Sequence, residues 1–174
     1  MFRTHRQAIT YFVDSILPLI LGMLTSEERQ DFVFRVVGAN LFDRDFLALH
    51  HPYVSYDGHA SNEQLKTLYT RARLVVAPLL SGAGVKGKIS QAMSYGVPVV
   101  ATSVAIEGMH LENGTDCLIG DTPGQFASSV VLPYRSCPLW QHLSEHGLMN
   151  LVAYFSKQRA EASLLHAFST LGVT

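Results

Sequence analysis

The sequence predicts an α/β fold: a Rossmann-like, mainly parallel sheet with helices on both faces and a helical C-terminal end. Three observations carry this expectation. Short β-branched runs such as FVFRVV, LVVA and PVVA alternate with stretches whose apolar residues recur every three or four positions. Turn residues close the runs, Gly38 after FVFRVV and Pro78 after LVVA. Beyond Thr122 only helical spacing remains. With 174 residues, 48% apolar and 16% charged, the chain can bury a sizeable core, which excludes a disordered or low-complexity segment. No repeat and no linker-like stretch divides it, so residues 1–174 read as a single domain.

The elements follow in order. Ile9, Phe12, Val13, Ile16, Ile20, Met23 and Leu24 lie at helical spacing, in a helix expected to begin near Arg6 and to kink at Pro18. The apolar stretch 11–24 is shorter than the roughly 20 residues of a membrane span and holds Asp14 and Pro18, so no transmembrane segment is expected. Residues 25–30 read as a polar break and 32–37 as the first strand. Residues 44–50 suit one or two helical turns, and 54–56 a second strand stopped by Asp57 and Gly58. Ser61 and Gln64 form a capping-box start for a helix whose apolar face is Leu65, Leu68 and Tyr69. A third strand at 74–77 precedes a glycine-rich loop and a helix over 88–95, closed by Gly96. Strands at 98–101 and 116–119 follow. Thr122, Pro123 and Gln125 supply a cap, a first-turn proline and a capping-box partner. Helices are then expected over 124–132, 138–155 and 157–171, with Ser156 capping the last.

Thirteen basic and fourteen acidic side chains leave a formal charge of −1. No global field attracts nucleic acid or anionic membrane, so phosphate binding has to be local. Two cysteines, Cys117 and Cys137, are too few for a disulfide framework and suit a reducing, cytoplasmic setting. No signal-peptide pattern lines up at the N-terminus.

In doubly wound sheets, ligands bind beyond the carboxyl ends of the strands. The segment LVVAPLLSGAGVKGKISQAMSYG has the form strand, glycine-rich loop, helix. Gly82, Gly84 and Gly87 let backbone approach a ligand closely. The helix start at Lys88 offers N–H groups and the positive end of a dipole, and Lys86 and Lys88 add two cations. Together these suit a diphosphate. The plainer alternative is a surface turn with two solvated lysines. The P-loop pattern is missing, as is G-x-G-x-x-G at the first strand, so nicotinamide binding is not favoured.

Other conspicuous residues point to packing. The eight histidines show neither H-E-x-x-H nor zinc spacing with cysteine. His50 and His51 read as an exposed helix end, and His142 and His146 share a helix face without a third ligand, so no metal is expected. Cys117 reads as core, and Ser55, Ser81 and Ser103 lack the G-x-S-x-G context of a hydrolase. The stripe Leu148, Leu151, Val152, Phe155 reads as core or an interdomain surface.

The stretch PLLSGAGVKGKISQAMSYGVPVVATSVAIEGM resembles the C-terminal donor-binding domain of group 1 glycosyltransferases, retaining enzymes of the GT-B fold. Further matches are Val36-Val37-Gly38, Val54-Ser55-Tyr56-Asp57-Gly58, Glu107-Gly108-Met109, and Trp140, Leu143, Ser144 and Phe155-Ser156, in order along nearly the whole chain. The resemblance implies a nucleotide-sugar-binding domain of an enzyme that transfers a hexose from a nucleoside diphosphate sugar with retention. On that basis Ser81, Gly82, Gly84, Lys86, Gly87 and Lys88 hold the diphosphate. Gln91 stands where a glutamate commonly meets the ribose. Gly58 and His59 border the base, and Glu107 is a weaker contact for sugar or ribose. Eight residues before Gln91 the family often carries another glutamate, where this chain has Ala83. No catalytic residue is assigned, and such a site takes neither cofactor nor metal.

The implied partner is an N-terminal acceptor-binding domain, without which the chain is expected to transfer no sugar. The family's first strand is expected to be absent ahead of Arg6. That gap should be closed by strands 32–37 and 74–77 pairing directly, or by a strand from a partner or a second copy in a homodimer. With both carboxylates replaced, the alternatives are a catalytically degenerate GT-B-like interaction module and a nucleotide-sugar epimerase relative.

Overall fold

The computed structural model describes residues 2–38 and 51–170. The helical turns expected at 44–50 lie outside the described residues. Helix α1 (Phe2–Tyr11) starts earlier than expected, widens into one π turn at Phe12–Ile16 and resumes as α2 (Leu17–Met23). Proline lacks an N–H and its ring meets the carbonyl one turn back. Pro18 therefore sits in the first turn of α2, and the π turn before it takes up the mismatch where a kink was expected. Phe12, Ile16, Leu17 and Ile20 line one face and are at most 1% exposed.

Residues 25–30, read from sequence as a break, form α3 (Ser26–Gln30). Thr25 and Glu28 close a capping box: the Glu28 N–H donates to Thr25 Oγ1 at 3.2 Å and the Thr25 N–H to Glu28 Oε2 at 2.8 Å. Arg135 also donates to the Glu28 carboxylate at 2.7 and 2.8 Å, and this guanidinium, with the Thr25 N–H, lowers the Glu28 carboxyl to about 2.

Strands β1 (Phe34–Val37) and β2 (Val54–Gly58) form one parallel pair. A second sheet is parallel throughout, in the order β3 (Val75–Ala77), β4 (Val99–Ala101), β5 (Leu118–Ile119). β2 runs past its expected stop to Gly58: the register skips Asp57, which bulges between Tyr56 and Gly58 and accepts from Arg35 of β1 at 2.8 Å. Among the described residues β1 and β3 do not pair, which corrects the expectation of direct closure. Both nevertheless rest on one core. Phe34, Val54, Val76 and Leu118 pack against Phe12, Ile16, Leu17, Ile20, Phe126 and Val130, so the two sheets share a core without sharing a ladder. Phe12 stacks on Phe34 at 4.1 Å and meets Phe126 edge-on at 6.3 Å.

Strand periodicity divides the faces. Val76 and Val100 face that core, beneath α2 and α6 (Pro123–Arg135). Val75, Ala77, Val99 and Ala101 face a second core built on Ile89, Ala92 and Met93 of α5 (Gly87–Ser94), with Tyr69 of α4 (Asn62–Arg71) and Phe155 of α7 (Cys137–Phe155) at its margin. β4 is buried along its length, as a parallel strand covered on both faces should be, whereas β3 is only half-buried.

Helix α6 continues through Pro133 to Arg135, beyond its expected end at 132. In the last turn the proline forfeits one hydrogen bond, and Arg73 donates to the carbonyls of Pro133 and Tyr134 at 3.2 Å each. Trp140 Nε1 donates to the Arg73 carbonyl at 2.6 Å and its ring lies 5.4 Å from the guanidinium. Helix α8 (Lys157–Thr170) is exposed throughout.

Candidate functional site

β3 ends at Ala77, and buried Pro78 opens the loop that leads to α5. Thr102, 2% exposed, follows β4. Its N–H donates to the Ala77 carbonyl at 3.2 Å and its hydroxyl to the Leu79 carbonyl at 2.6 Å. One side chain thus ties the loop after β3 to the turn after β4, at the carboxyl end of the sheet. Sequence reasoning passed over Thr102. The available signal was a hydroxyl directly after a buried strand, where neighbouring carbonyls run out of ladder partners.

Ser81, Gly82, Ala83 and Gly84 are exposed. Gly82 (φ 133°) and Gly84 (φ 78°) occupy backbone conformations that favour glycine. Gly87 opens α5 with ordinary backbone, and an added Cβ there would meet nothing within 4 Å. Among the described residues no side chain caps α5, and the N–H groups of Gly87 and Lys88 take no hydrogen-bond acceptor. Lys88 is exposed, with no hydrogen-bond or ion-pair partner among the described residues. Lys86 behaves differently. It is half-buried and turns back into the loop, where Nζ donates to the carbonyls of Gly84 (2.5 Å) and Gly82 (3.4 Å).

Gln91 is exposed one turn further along α5, and the Tyr69 hydroxyl donates to its Oε1 at 3.4 Å. Tyr69 stacks on Tyr95 at 5.1 Å. Burial, with Tyr95 beside it, pushes the Tyr69 hydroxyl above the usual tyrosine range, so it stays a donor. Sequence reasoning placed Tyr69 in the core and missed this contact.

Glu107 is exposed in the turn after β4, followed by Gly108 (φ 76°). His110 holds a positive φ of 54°, clasped by the Tyr154 ring at 4.3 Å and by Asn150, which donates to its carbonyl at 2.6 Å. Gly58 is buried at the end of β2 and accepts the Gly38 N–H at 2.8 Å, and His59 beyond it is exposed. The structure gathers residues 81–88 and Gln91 on one strand–loop–helix unit. Among the described residues no hydrogen bond or ion pair links Gly58, His59 or Glu107 to that unit.

Elsewhere, the rings of His142 and His146 lie 4.0 Å apart, and no three His, Cys, Asp or Glu side chains among the described residues form a metal cluster. Burial, and secondarily Asp116, pushes the Cys117 thiol up to about 12, which makes it a poor nucleophile. No described helix is long and apolar enough to cross a membrane. The open depressions at Asp121, Gly124 and Gln125 and at Arg6, Thr10 and Asp14 are lined by none of the residues of the glycine-rich loop.

The profile of the family described as "Glycosyl transferases group 1" matches residues 1–133. An uncharacterised 44.6 kDa protein in the cps region of Klebsiella pneumoniae is 26% identical over 132 residues, covering 72% of this chain and 32% of that protein. Among solved structures, Anabaena Alr3699/HepE in complex with UDP superposes with a TM-score of 0.73 at 16% identity, covering 90% of this chain and 45% of that one. The same protein in complex with UDP-glucose gives 0.72 at 16% identity, with the same coverage. A glycosyltransferase from Rickettsia africae gives 0.71 at 15% identity, covering 92% and 44%. These likenesses establish the fold as that of GT-B glycosyltransferases. The chain spans about a third of the Klebsiella protein and less than half of each structural relative.

Proposed function

Because this chain belongs to the group 1 glycosyl transferases, we propose that it is the C-terminal, donor-binding half of a retaining enzyme, the part that grips a nucleoside diphosphate sugar while a hexose leaves for an acceptor. One observation carries this reading. The uncapped start of α5, with the open N–H groups of Gly87 and Lys88 and the exposed Lys88 ammonium, lies directly after the Gly82–Gly84 turns at the carboxyl end of the sheet. As the glycosidic bond breaks, negative charge grows on the departing diphosphate. Fixed N–H dipoles, the helix end and Lys88 meet that charge without reorganising, and the arrangement needs no metal. Ser81 and Gly87 border the diphosphate. The Gln91 amide, its oxygen held by Tyr69, presents its nitrogen to a ribose hydroxyl. His59, with Gly58, and Glu107 flank base and sugar from the neighbouring strand ends. HepE, which shares this fold, was solved with UDP and with UDP-glucose.

The acceptor and the remaining catalytic groups belong to an N-terminal domain, so residues 1–174 alone transfer no sugar. Among the described residues the edge of β1 away from β2 and the edge of β3 away from β4 carry no paired strand, and a strand from that longer polypeptide or from a second copy would complete them. Two unpaired cysteines accord with a cytoplasmic setting.

Titration calorimetry with UDP and GDP tests the reading, and no heat at millimolar nucleotide would overturn it. Lys88→Ala is expected to weaken diphosphate binding by about 1.5–3 kcal/mol, the worth of a charge-assisted hydrogen bond, and to leave nucleoside binding unchanged. Equal losses for both ligands would assign Lys88 to folding. Ala83 and Gln91, where the family carries carboxylates, favour a second reading: a domain that binds a nucleotide and transfers nothing even at full length. Turnover of a donor by the full-length protein removes that reading, and transfer by residues 1–174 alone removes the half-enzyme.

A further inference from the structure

The two lysines of the loop differ in what they touch, and the difference assigns them different work. Thr102 fastens the start of the loop at Leu79, and its end enters α5 through the Lys86 carbonyl, which accepts the Ile89 N–H at 2.8 Å. Between these anchors, among the described residues, no main-chain hydrogen bond forms within residues 80–85. Two of those residues, Gly82 and Gly84, are held at positive φ, and glycine has the most conformational freedom to lose. What crosslinks the middle of the loop is the Lys86 ammonium, bound to the carbonyls of Gly82 and Gly84 at once.

We propose that Lys86 is a positioning residue: its ammonium staples the glycine-rich loop into the shape that receives the diphosphate, while Lys88 is the cation that touches it. This rests on the donor-binding reading above and deepens it. An ammonium has three donors and no acceptor, so it gathers carbonyls readily. With the Gly82 and Gly84 carbonyls drawn onto Lys86, they are kept from facing an anion with their negative ends. The loop's ordering entropy is spent during folding, so a nucleotide meets a site already formed. Removing the ammonium returns residues 80–85 to many conformations, and apparent affinity falls by the fraction that remains competent.

The test pairs amide hydrogen exchange with nucleotide titration on the full chain, for Lys86→Met, Lys86→Arg and Lys88→Ala. Without nucleotide, Lys86→Met is expected to speed exchange across residues 80–86 while the amides of β4 stay protected. Lys86→Arg, which keeps a multi-donor cation, restores much of the protection, and Lys88→Ala leaves exchange unchanged. UDP affinity falls roughly tenfold in Lys86→Met, as expected when a loop must order on binding. Saturating UDP then returns its exchange to the wild-type level. Weaker UDP binding with unchanged exchange in the free protein would overturn the proposal and make Lys86 a direct phosphate ligand. Faster exchange with unchanged affinity would overturn it too, leaving a staple with no bearing on the site. If wild-type protein binds neither UDP nor GDP, the donor-binding reading falls with the positioning role. The exchange arm then still reports whether Lys86 orders the loop.

Discussion

Phe12→Ala is expected to lower stability by about 3–5 kcal/mol, the range for truncating a fully buried phenylalanine. Phe12 is 1% exposed and sits where the π turn aims it between two other rings, Phe34 of β1 and Phe126 of α6. Those partners come from the two-stranded sheet and from the helix that covers the three-stranded one. The cavity therefore opens at the place where the two sheets meet through a shared core, and neither has a ladder to hold it there. Urea denaturation followed by circular dichroism measures the loss. A change below about 1 kcal/mol would mean that the core does not depend on this residue.

Gly120→Ala is expected to be nearly as damaging, by about 2–3 kcal/mol or more, through overpacking. A Cβ on Gly120 would stand 2.4 Å from the Phe126 nitrogen, 2.5 Å from its Cα and 2.8 Å from the Gln125 carbonyl carbon. All three are backbone atoms of the first turns of α6, so no side-chain rotation relieves the clash. That turn is fixed by its own capping box, in which the Gln125 N–H donates to the Thr122 hydroxyl at 3.3 Å. Gly124→Ala, four residues on and open to solvent with nothing within 4 Å, is the control and should leave the melting temperature unchanged or slightly raised.

What the sequence disclosed was local or strongly periodic. PVVA announced a strand buried on both faces, and β4 is that strand. Ser61 with Gln64 and Thr122 with Gln125 announced two helix starts, because a capping box is written within four residues. The same pattern in Thr25 and Glu28 went unread, since no apolar run follows to mark a helix. The glycine-rich loop and the helix after it were legible in spacing and in residue type. What spacing does not contain is direction: Lys86 and Lys88 are two residues apart, yet one turns inward to carbonyls and the other outward. Tyr69 on Gln91 and Thr102 on Leu79 join residues 22 and 23 positions apart, and such contacts follow from the packing of α4 and β4 rather than from any motif. The separation of β1 from β3 is likewise a long-range outcome that no short window records.

That separation bears on how the chain behaves at concentration. In β1 the N–H groups of Phe34 and Gly38 point to β2, so alternation sends those of Arg35 and Val37 to the other edge. In β3 the Val75 N–H and the Ala77 carbonyl serve β4, which points the Val76 backbone groups to the other edge while its side chain packs on the shared core. Proteins guard such edges with charge and with bulges that spoil a template. β1 carries one such charge, Arg35 in its ion pair with Asp57, and lies beside the irregularity that unpaired Asp57 introduces in β2. β3, three residues of Val-Val-Ala, has neither, and its shortness is what limits it as a template. Among the described residues β3 is thus guarded by its length alone, and because the Val76 side chain packs on the shared core, a charge placed there would be buried rather than protective.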